Sequence, residues 1–302
     1  MKKILVPTDF SSCANHAADL AIAWAAKAEA GIHFLHILVT PVDWVRLPKG
    51  KEANYPEVQK AIGYAKDQLQ KLEKKAEKAG VKATTFLAFD QDDGEILTHA
   101  NTMKHDFIIM GSRGQRGTDN LFIGSNAQKI VRHATVPVVV VKDKVKQPSL
   151  KKIVFASSFR EDVMPAFKQV LEIANMTGAH LHLLYVNVPN TFEESPESFG
   201  RLSAFQKKCH QGKSSIHIWN SLYEEKGIMD FAQNLDAGMI AMVTHGRTGV
   251  LRLIASSITE GVVNRAGVPV MSIRMTAPSS KNKNNEKQDV IHATGSTTVA
   301  QN

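Results

Sequence analysis

The first half of the chain has glycines with the spacing of a phosphate-binding loop. The pattern is Gly111, two residues, Gly114, nine residues, then Gly124 and Ser125. Gly111 and Gly114 lack side chains, so a phosphate chain can approach their backbone and accept hydrogen bonds from the amides. Gly124 and Ser125 open a predicted helix, whose unpaired amides and positive dipole end favour an anion. The pattern predicts a phosphate-bearing ligand, and the alternative is that the glycines only permit a tight turn.

A carboxylate near the start of the chain complements this loop. Asp9 follows Pro7 and Thr8 at the end of the first predicted strand. It does not favour phosphates, but it can accept hydrogen bonds from an adenosine moiety. The alternative is that Asp9 only caps the first helix. Open parallel sheets bind ligands beyond the carboxyl ends of their strands, so this end and the glycine loop are predicted to meet there.

The elements that must position these residues occur twice. Residues 2–10 align with 151–159 at an offset of 149, and residues 136–140 align with 268–272 at an offset of 132. Within each repeat the periodicity switches between strand-like and helix-like, which predicts an α/β domain. We predict domains at residues 1–142 and 150–275. The polar segment 276–302 has no apolar period and is predicted to be a disordered tail.

The first repeat is predicted to contain five strands and four helices. Ser11 or Ser12 is predicted to cap the first helix, and Gly31 to close it. The predicted strands are 3–6, 32–39, 81–89, 107–111 and 137–141, and the predicted helices are 13–30, 57–79, 94–104 and 125–133. In the second repeat the strands are predicted near Lys152, Leu181, Ile216, Met239 and Val268.

Composition limits the possible functions. The 302 residues are 43% hydrophobic and 22% charged, which suits two globular domains. The formal charge of +8 suggests an attraction to polyanions. The lysines between Lys66 and Lys78 alternate with acidic residues, however, as on a solvated helix face. We therefore do not expect nucleic-acid binding.

Membrane insertion and secretion are not expected either. No apolar run approaches the roughly 18–20 residues that cross a bilayer. Pro7 and Asp9 interrupt the start of the chain before a signal-peptide core could form. The two cysteines, Cys13 and Cys209, do not form a disulfide framework. We expect a cytoplasmic protein without a membrane partner.

Together, the glycine pattern and the Pro7-Thr8-Asp9 segment resemble the nucleotide-binding pattern of the universal stress protein family, in a tandem-domain form. The resemblance covers about residues 1–275. It implies two Rossmann-like domains, each a five-stranded parallel sheet in the order 3-2-1-4-5 with helices on both faces. It also implies that ATP, with Mg²⁺, binds in the first repeat. The residues it assigns to the nucleotide are Pro7, Thr8, Asp9 and the backbone at Ile37 around adenine and ribose, and Gly111, Gly114, Gly124 and Ser125 around the phosphates, with Arg113 and Asn126 beside them.

The second repeat departs from this pattern. Ser158 stands in place of Asp9, Ala156 in place of Pro7 and Val243 in place of Gly111. Ser256 replaces Gly124, which predicts that Ser256 and Ser257 open a helix. We expect this repeat to be a degenerate structural or regulatory partner. The resemblance further implies that the two repeats pair as an internal pseudo-dimer through their fifth strands, 137–141 and 268–273. A homodimer of the whole chain stays open, and an unidentified protein partner is expected.

Catalysis and metal binding are not predicted. No set of nucleophile, base and orienting residue can be assembled from the sequence. His33 and His36, like His180 and His182, lie on or beside predicted second strands with no nearby cysteine or fixed carboxylate. We interpret them as packed or edge histidines rather than metal ligands. Two alternatives to a non-catalytic ATP-binding regulator stay open: a slow ATPase on the same fold, and an interaction module that does not depend on nucleotide.

Overall fold

The computed structural model describes residues 2–90, 94–113, 124–142, 145, 150–209, 214–245 and 251–275. Gly114 and the segment 276–302, for which disorder was predicted, lie outside the described residues. Within the described ranges, every helix is too short or too polar to cross a membrane.

Strands and helices alternate through both repeats. In the first repeat they are β1 (Lys3–Pro7), α1 (Ser12–Ala28), β2 (Gly31–Val39), α2 (Pro56–Lys78), β3 (Ala83–Asp90), α3 (Glu95–Thr102), β4 (Phe107–Gly111), α4 (Ser125–His133) and β5 (Val138–Val141). In the second they are β6 (Lys152–Ala156), α5 (Met164–Thr177), β7 (His180–Asn187), α6 (Ser195–Lys208), β8 (Ser214–Asn220), α7 (Glu224–Leu235), β9 (Met239–His245), α8 (Leu251–Arg265) and β10 (Val270–Met275).

All ten strands form one sheet, in the order β3-β2-β1-β4-β5-β10-β9-β6-β7-β8. Each half runs 3-2-1-4-5 with parallel neighbours, so the predicted fold is confirmed. The halves meet where β5 and β10 pair antiparallel, with Val139 opposite Met271. These are the strands for which the family resemblance implied contact. The pairing covers two apolar edges that would otherwise offer unpaired backbone groups.

Helices cover both faces of the sheet, which explains why β4 and β5 are continuous apolar runs. Successive side chains of a strand point to opposite faces. Val139 and Val141 accordingly belong to one buried core, and Val138 and Val140 belong to the other. All four valines are at least 97% buried.

The predicted start of α1 is confirmed and its predicted end is wrong. Ser11 is the N-cap, and its side chain accepts a hydrogen bond from the Ala14 amide. The helix ends at Ala28, because Glu29 takes the left-handed conformation (φ 52°) that a glycine usually supplies. Gly31 instead begins β2.

Side chains from α4 and α8 join the two repeats beside the β5–β10 seam. Glu260 accepts hydrogen bonds from Gln128 Nε2 (2.8 Å) and Arg132 Nη2 (3.0 Å). Lys142 Nζ donates to the Asn264 carbonyl (3.3 Å). Polar contacts therefore add to the strand pairing in fixing the two halves relative to each other.

Candidate functional site

The turn between β1 and α1 is held by its own side chains. The Phe10 amide donates to Thr8 Oγ1 (3.0 Å), and the Ser11 amide donates to Asp9 Oδ1 (3.1 Å). Phe10 has a φ of 64°, a strained value for a residue with a side chain. The turn thus fixes the half-buried Asp9 at the carboxyl end of β1. The buried Thr8 hydroxyl is engaged in holding that turn.

The end of β2 is tied to the same turn. The Thr8 amide donates to the Leu35 carbonyl (2.9 Å), and His36 Nδ1 donates to the Thr8 carbonyl (2.7 Å). The His36 and Phe10 rings stack with centroids 4.5 Å apart. Burial lowers the pKa of His36, against opposing effects of the Thr8 hydrogen bond and the Asp9 charge. Ile37, the next residue, is half-buried on β2, so its backbone lies beside the Pro7–Asp9 turn.

Gly111 lets α1 approach the end of β4. A Cβ added at this glycine would lie 2.8 Å from the Ala14 nitrogen and 2.8 Å from the Cys13 carbonyl carbon. Both are backbone atoms of the first turn of α1, so a side chain here requires the helix to move. The side of Gly111 that lacks a side chain is therefore filled by α1. A phosphate therefore has no room on the Cβ side of Gly111. The prediction that remains is a contact with the backbone groups of this residue.

The start of α4 faces the end of β4. The Gly124 amide donates to the Ser112 carbonyl (2.8 Å), which brings the helix start against the strand end. Gly124 is the N-cap residue, and as a glycine it has no side chain that could cap the helix. The first turn of α4 contains no acidic residue. Ser125 and Asn126 are exposed at this helix end. The first-turn amides thus form an end suited to an anion.

The hydroxyl groups of Ser11 and Ser112 lie near the end of β4. Ser11 Oγ donates to the Arg113 carbonyl (3.3 Å), joining the start of α1 to the residues after β4. The Ser112 hydroxyl is buried, and no described residue hydrogen-bonds to it. Ser112 was not among the residues predicted for the site, although its neighbours Gly111 and Arg113 were. Gly114, which the glycine pattern includes, is outside the described residues.

The described site residues therefore converge from four segments: the turn from β1 into α1, the end of β2, the end of β4 and the start of α4. The ends of β1 and β2 meet through Thr8 and His36, the start of α1 meets β4 at Gly111, and the start of α4 meets β4 at Ser112. Open α/β sheets bind ligands at this edge. The arrangement offers a fixed carboxylate on one side and, on the other, a helix start with a glycine N-cap and no acidic residue in its first turn.

Strand register shows which residues of the second repeat occupy equivalent positions. Ile4 is opposite Phe107 in the first repeat, and Ile153 is opposite Met239 in the second. The register places Val243 at the position of Gly111, as the sequence alignment did. Position 12, where α1 begins, corresponds to 161, but α5 begins only at Met164. The later start is consistent with the space that the Val243 side chain needs.

The helix start predicted at Ser256 and Ser257 is wrong. Helix α8 begins at Leu251, so both serines lie inside it. Their backbone amides are within the helical hydrogen-bonding pattern, whereas those of Ser125 and Asn126 are at a helix end. The second repeat thus lacks a helix start at the position where the first repeat has one.

An ionic cluster covers the strand ends of the second repeat. Glu193, 9% exposed, accepts from Arg160 Nε (3.0 Å) and Arg201 Nη2 (2.6 Å). Arg201 Nε also donates to the carbonyl of Ser158, the counterpart of Asp9 (3.0 Å). The Arg201 guanidinium lies 5.0 Å from the ring centroid of Tyr185, the counterpart of His36. Where the first repeat places Asp9 and His36, the second has a cation-rich cluster.

Comparisons with known proteins agree on the type of protein that this chain resembles. The model of the "Universal stress protein family" matches residues 1–142 and 220–274. The second match begins after the segment that carries Ser158 and the ionic cluster. A universal stress protein of Methanocaldococcus jannaschii is 34% identical over 148 residues, covering 48% of this chain and 85% of the relative. One from Synechocystis is 22% identical over 297 residues, covering 91% of this chain and 100% of the relative. The crystal structure of one from Archaeoglobus fulgidus has the same fold, with a TM-score of 0.69, 22% identity, and coverage of 90% of this chain and 98% of that one.

Proposed function

Because the chain belongs to the universal stress protein family, we propose that its first repeat binds ATP, and that occupancy of this site controls conformation or partner binding in a stress-response or regulatory protein. The observation that carries the proposal is the meeting of the Asp9 turn, the end of β4 and the start of α4 at the carboxyl ends of the strands. The N-cap of α4 is a glycine, and its first turn has no acidic residue. A carboxylate suits the hydroxyl and amino donors of adenosine, and a helix start suits phosphate.

Each site residue has a proposed role. Asp9 accepts from the nucleoside, and the backbone at Pro7 and Ile37 lines the adenine. Thr8 holds the turn, as its bond to the Phe10 amide indicates. The phosphates are proposed to lie along the backbone of Gly111 and Gly114 and at the start of α4. There Ser125 and Asn126 donate, Gly124 lets the phosphate approach the helix start while its own amide stays bonded to the Ser112 carbonyl, and Arg113 lies alongside. Mg²⁺ is proposed to come with ATP, held by phosphate oxygens and water, where it neutralises part of the triphosphate charge.

The link from occupancy to the rest of the molecule is proposed to run through α1. Its start is fixed to the β4 end by Ser11 and by the close contact at Gly111. The same helix packs against α5 of the second repeat. A ligand that tightens the loops after β1 and β4 therefore acts on an element that contacts both repeats.

We expect one equivalent of ATP per chain. The second repeat has no helix start at Ser256, and it has Ser158 in place of the carboxylate. The measurement is identification of the nucleotide released when freshly purified protein is denatured, followed by calorimetric titration of nucleotide-free protein with ATP and Mg²⁺. Two equivalents would show that the second repeat is competent. An absence of both released nucleotide and binding would refute the proposal in favour of a nucleotide-independent interaction module.

Asp9→Ala is expected to weaken ATP binding by about 10- to 100-fold, the equivalent of roughly 1.5–3 kcal/mol for hydrogen bonds to a charged acceptor. The matched control is Ser158→Ala at the counterpart position, which is expected to leave ATP affinity unchanged. Because Asp9 also accepts from the Ser11 amide, both variants should be compared by thermal unfolding before titration. Equal affinities in the two variants would remove Asp9 from the site. Phosphate release by the native chain and by Asp9→Ala tests the slow-ATPase alternative on the same samples.

A further inference from the structure

Three histidines from separate segments meet on the first repeat, away from the proposed nucleotide site. His33 lies near the start of β2, His99 lies on α3, and His105 lies in the turn before β4. One imidazole nitrogen from each lies within 4.8 Å of the other two. The cluster is at the amino ends of β2 and β4, and Asp9 and Gly111 are at the carboxyl ends of their strands. The two sites therefore lie at opposite ends of the strands.

We propose that His33, His99 and His105 form a binding site for a divalent transition-metal ion of the Zn²⁺ type. Imidazole nitrogen is a preferred ligand of Zn²⁺, and three histidines with an open fourth position are an established coordination set. Mg²⁺ and Ca²⁺ prefer oxygen ligands and are not expected here. The proposal is independent of ATP binding.

The spacing of the rings fits a tetrahedral ion. With Zn–N bonds of about 2.0–2.1 Å, tetrahedral geometry places two ligand nitrogens about 3.3 Å apart and their ring centroids about 5 Å apart. His33 Nδ1 and His105 Nε2 are 3.0 Å apart. The centroid separations are 4.8 Å for His33–His105, 5.5 Å for His99–His105 and 6.3 Å for His33–His99. The first two separations are close to the tetrahedral value, and the His33–His99 pair must shorten by about 1.3 Å for all three nitrogens to bind one ion.

The hydrogen bonds around the cluster leave lone pairs for an ion. His99 Nε2 is buried, and no described residue hydrogen-bonds to it. His105 Nδ1 lies 3.4 Å from the Ala100 carbonyl, so a proton on Nδ1 leaves the lone pair on Nε2. Metal-ligating histidines commonly direct their second nitrogen to a carbonyl in this way. In the absence of an ion, one of His33 and His105 donates a proton to the other. When an ion binds between them, that proton moves to the second nitrogen of the donating ring, so that both facing nitrogens present lone pairs.

The three imidazoles are partly or fully buried and pack against an aromatic ring. Burial lowers the pKa of all three histidines, that of His105 to about 4. Phe86 packs against the rings of His33 and His99, with centroids 4.9 and 4.7 Å away. The nearby charges oppose each other, since Lys3 disfavours a cation and Glu95 favours one. The site therefore depends on the three nitrogens rather than on a negative field.

The second repeat supplies a control within the same molecule. His182 is the counterpart of His33, but Phe231 and Ala237 occupy the positions of His99 and His105. His182 Nδ1 instead lies 3.0 Å from His217 Nε2 on the neighbouring strand. His33→Gln and His182→Gln thus each remove one member of a half-buried histidine pair, and only His33→Gln removes a ligand of the proposed ion.

The test is Zn²⁺ titration of the untagged full chain, free of nucleotide, in competition with a chromogenic chelator. We expect one equivalent per native chain. Loss of a hydrogen bond to a ligating imidazole costs about 10- to 100-fold in affinity, so His33→Gln and His99→Gln, each losing a whole ligand, are expected to lose about 100-fold or more. His182→Gln is expected to bind as the native chain does. An absence of binding by the native chain, or equal losses in His33→Gln and His182→Gln, would overturn the proposal.

A second measurement keeps the test decisive if the glutamine variants unfold. Co²⁺ added to the native chain is expected to give the visible absorption of a four- or five-coordinate nitrogen site, and Zn²⁺ to remove it by displacement. Zn²⁺ is also expected to raise the melting temperature of the native chain, as any ligand of the folded state does, and Mg²⁺ to leave it unchanged. A Co²⁺ spectrum identical to that of the hexaaqua ion would contradict the proposal without any variant.

Discussion

Replacing Gly111 by valine is expected to destabilise the chain by about 3 kcal/mol, in the upper part of the range for overpacked sites. The added Cβ alone lies 2.8 Å from two backbone atoms of α1, so no side-chain rotation relieves the contact. The start of α1 must move away from β4, which breaks the bond from Ser11 to Arg113. We expect a fall of about 5–10 °C in the melting temperature. ATP affinity, measured well below that temperature, is expected to fall by about tenfold or more.

Gly63→Val is the matched control for Gly111→Val. A Cβ at Gly63, on the exposed face of α2, has no atom within 4 Å, so this change is expected to alter stability by less than about 0.5 kcal/mol. Gly111→Ala introduces the same Cβ without the γ-methyls. If the backbone contact is the cause, this variant is expected to lose most of the stability that Gly111→Val loses. If Gly111→Ala has the same melting temperature as the native chain, the close approach of α1 does not require a glycine at position 111, and Gly111 acts only in ligand binding.

The sequence predicted the parts of the fold that depend on local pattern. Continuous apolar runs located β4 and β5, and the equivalence of residues 2–10 and 151–159 located β1 and β6. Ser11 was predicted as a possible cap because a hydroxyl satisfies a helix-end amide wherever it stands. The Phe10 turn recurs at Phe159, which also has a positive φ (56°) and donates its amide to Ser157 Oγ. The turns after β1 and β6 thus have the same backbone conformation because both have a hydroxyl residue two positions before the phenylalanine.

Apart from the β5–β10 pairing, which the family resemblance implied, most contacts between distant residues were not predicted. His33 and His36 are close in sequence, but the alternation of a strand directs the two side chains to opposite faces. His33 therefore meets His105, which is 72 positions away along the chain. The helix start was placed at Ser256 by alignment with Gly124, but α8 begins at Leu251. For Gly111 the sequence predicted a phosphate contact, which stays a prediction, and the close approach of the first turn of α1 is a second constraint that only the packed structure shows.

The ionic cluster of the second repeat gives the other large expected effect. Glu193→Gln is expected to destabilise the chain by roughly 2–3 kcal/mol at pH 7, somewhat less than the cost of breaking a fully buried ion pair, because Arg160 is half-exposed. Arg201, with 19% of its side chain exposed, is left without its carboxylate partner. The backbone bonds between Glu193 and the Asn187 side chain do not require the carboxylate and are retained. The measurement is denaturant unfolding of the two proteins.

The pH dependence of this difference separates the ionic cluster from a simple packing effect. The hydrogen bond from Arg201, aided by that from Arg160, holds the pKa of Glu193 below its ordinary value of 4.5. A carboxyl group with a pKa lowered by folding stabilises the folded state above its unfolded pKa, and this contribution is lost as the pH falls through the folded pKa. The gap in unfolding free energy between the native chain and Glu193→Gln is therefore expected to be constant from pH 7 to about pH 5.5 and to narrow below about 4.5.

Glu197→Gln is the control for Glu193→Gln, because this glutamate is exposed in the first turn of α6. It is expected to cost less than about 1 kcal/mol, as a surface charge at a helix start does. The effect should also diminish with added salt, which screens exposed charges more than buried pairs. A Glu193→Gln gap that stays constant down to pH 3, or that salt removes as readily as the Glu197 effect, would show that the cluster over Ser158 is a solvated surface group. In that case the second repeat would not be closed by ion pairing, and only the missing carboxylate, Val243 and the shifted start of α8 would set it apart from the first.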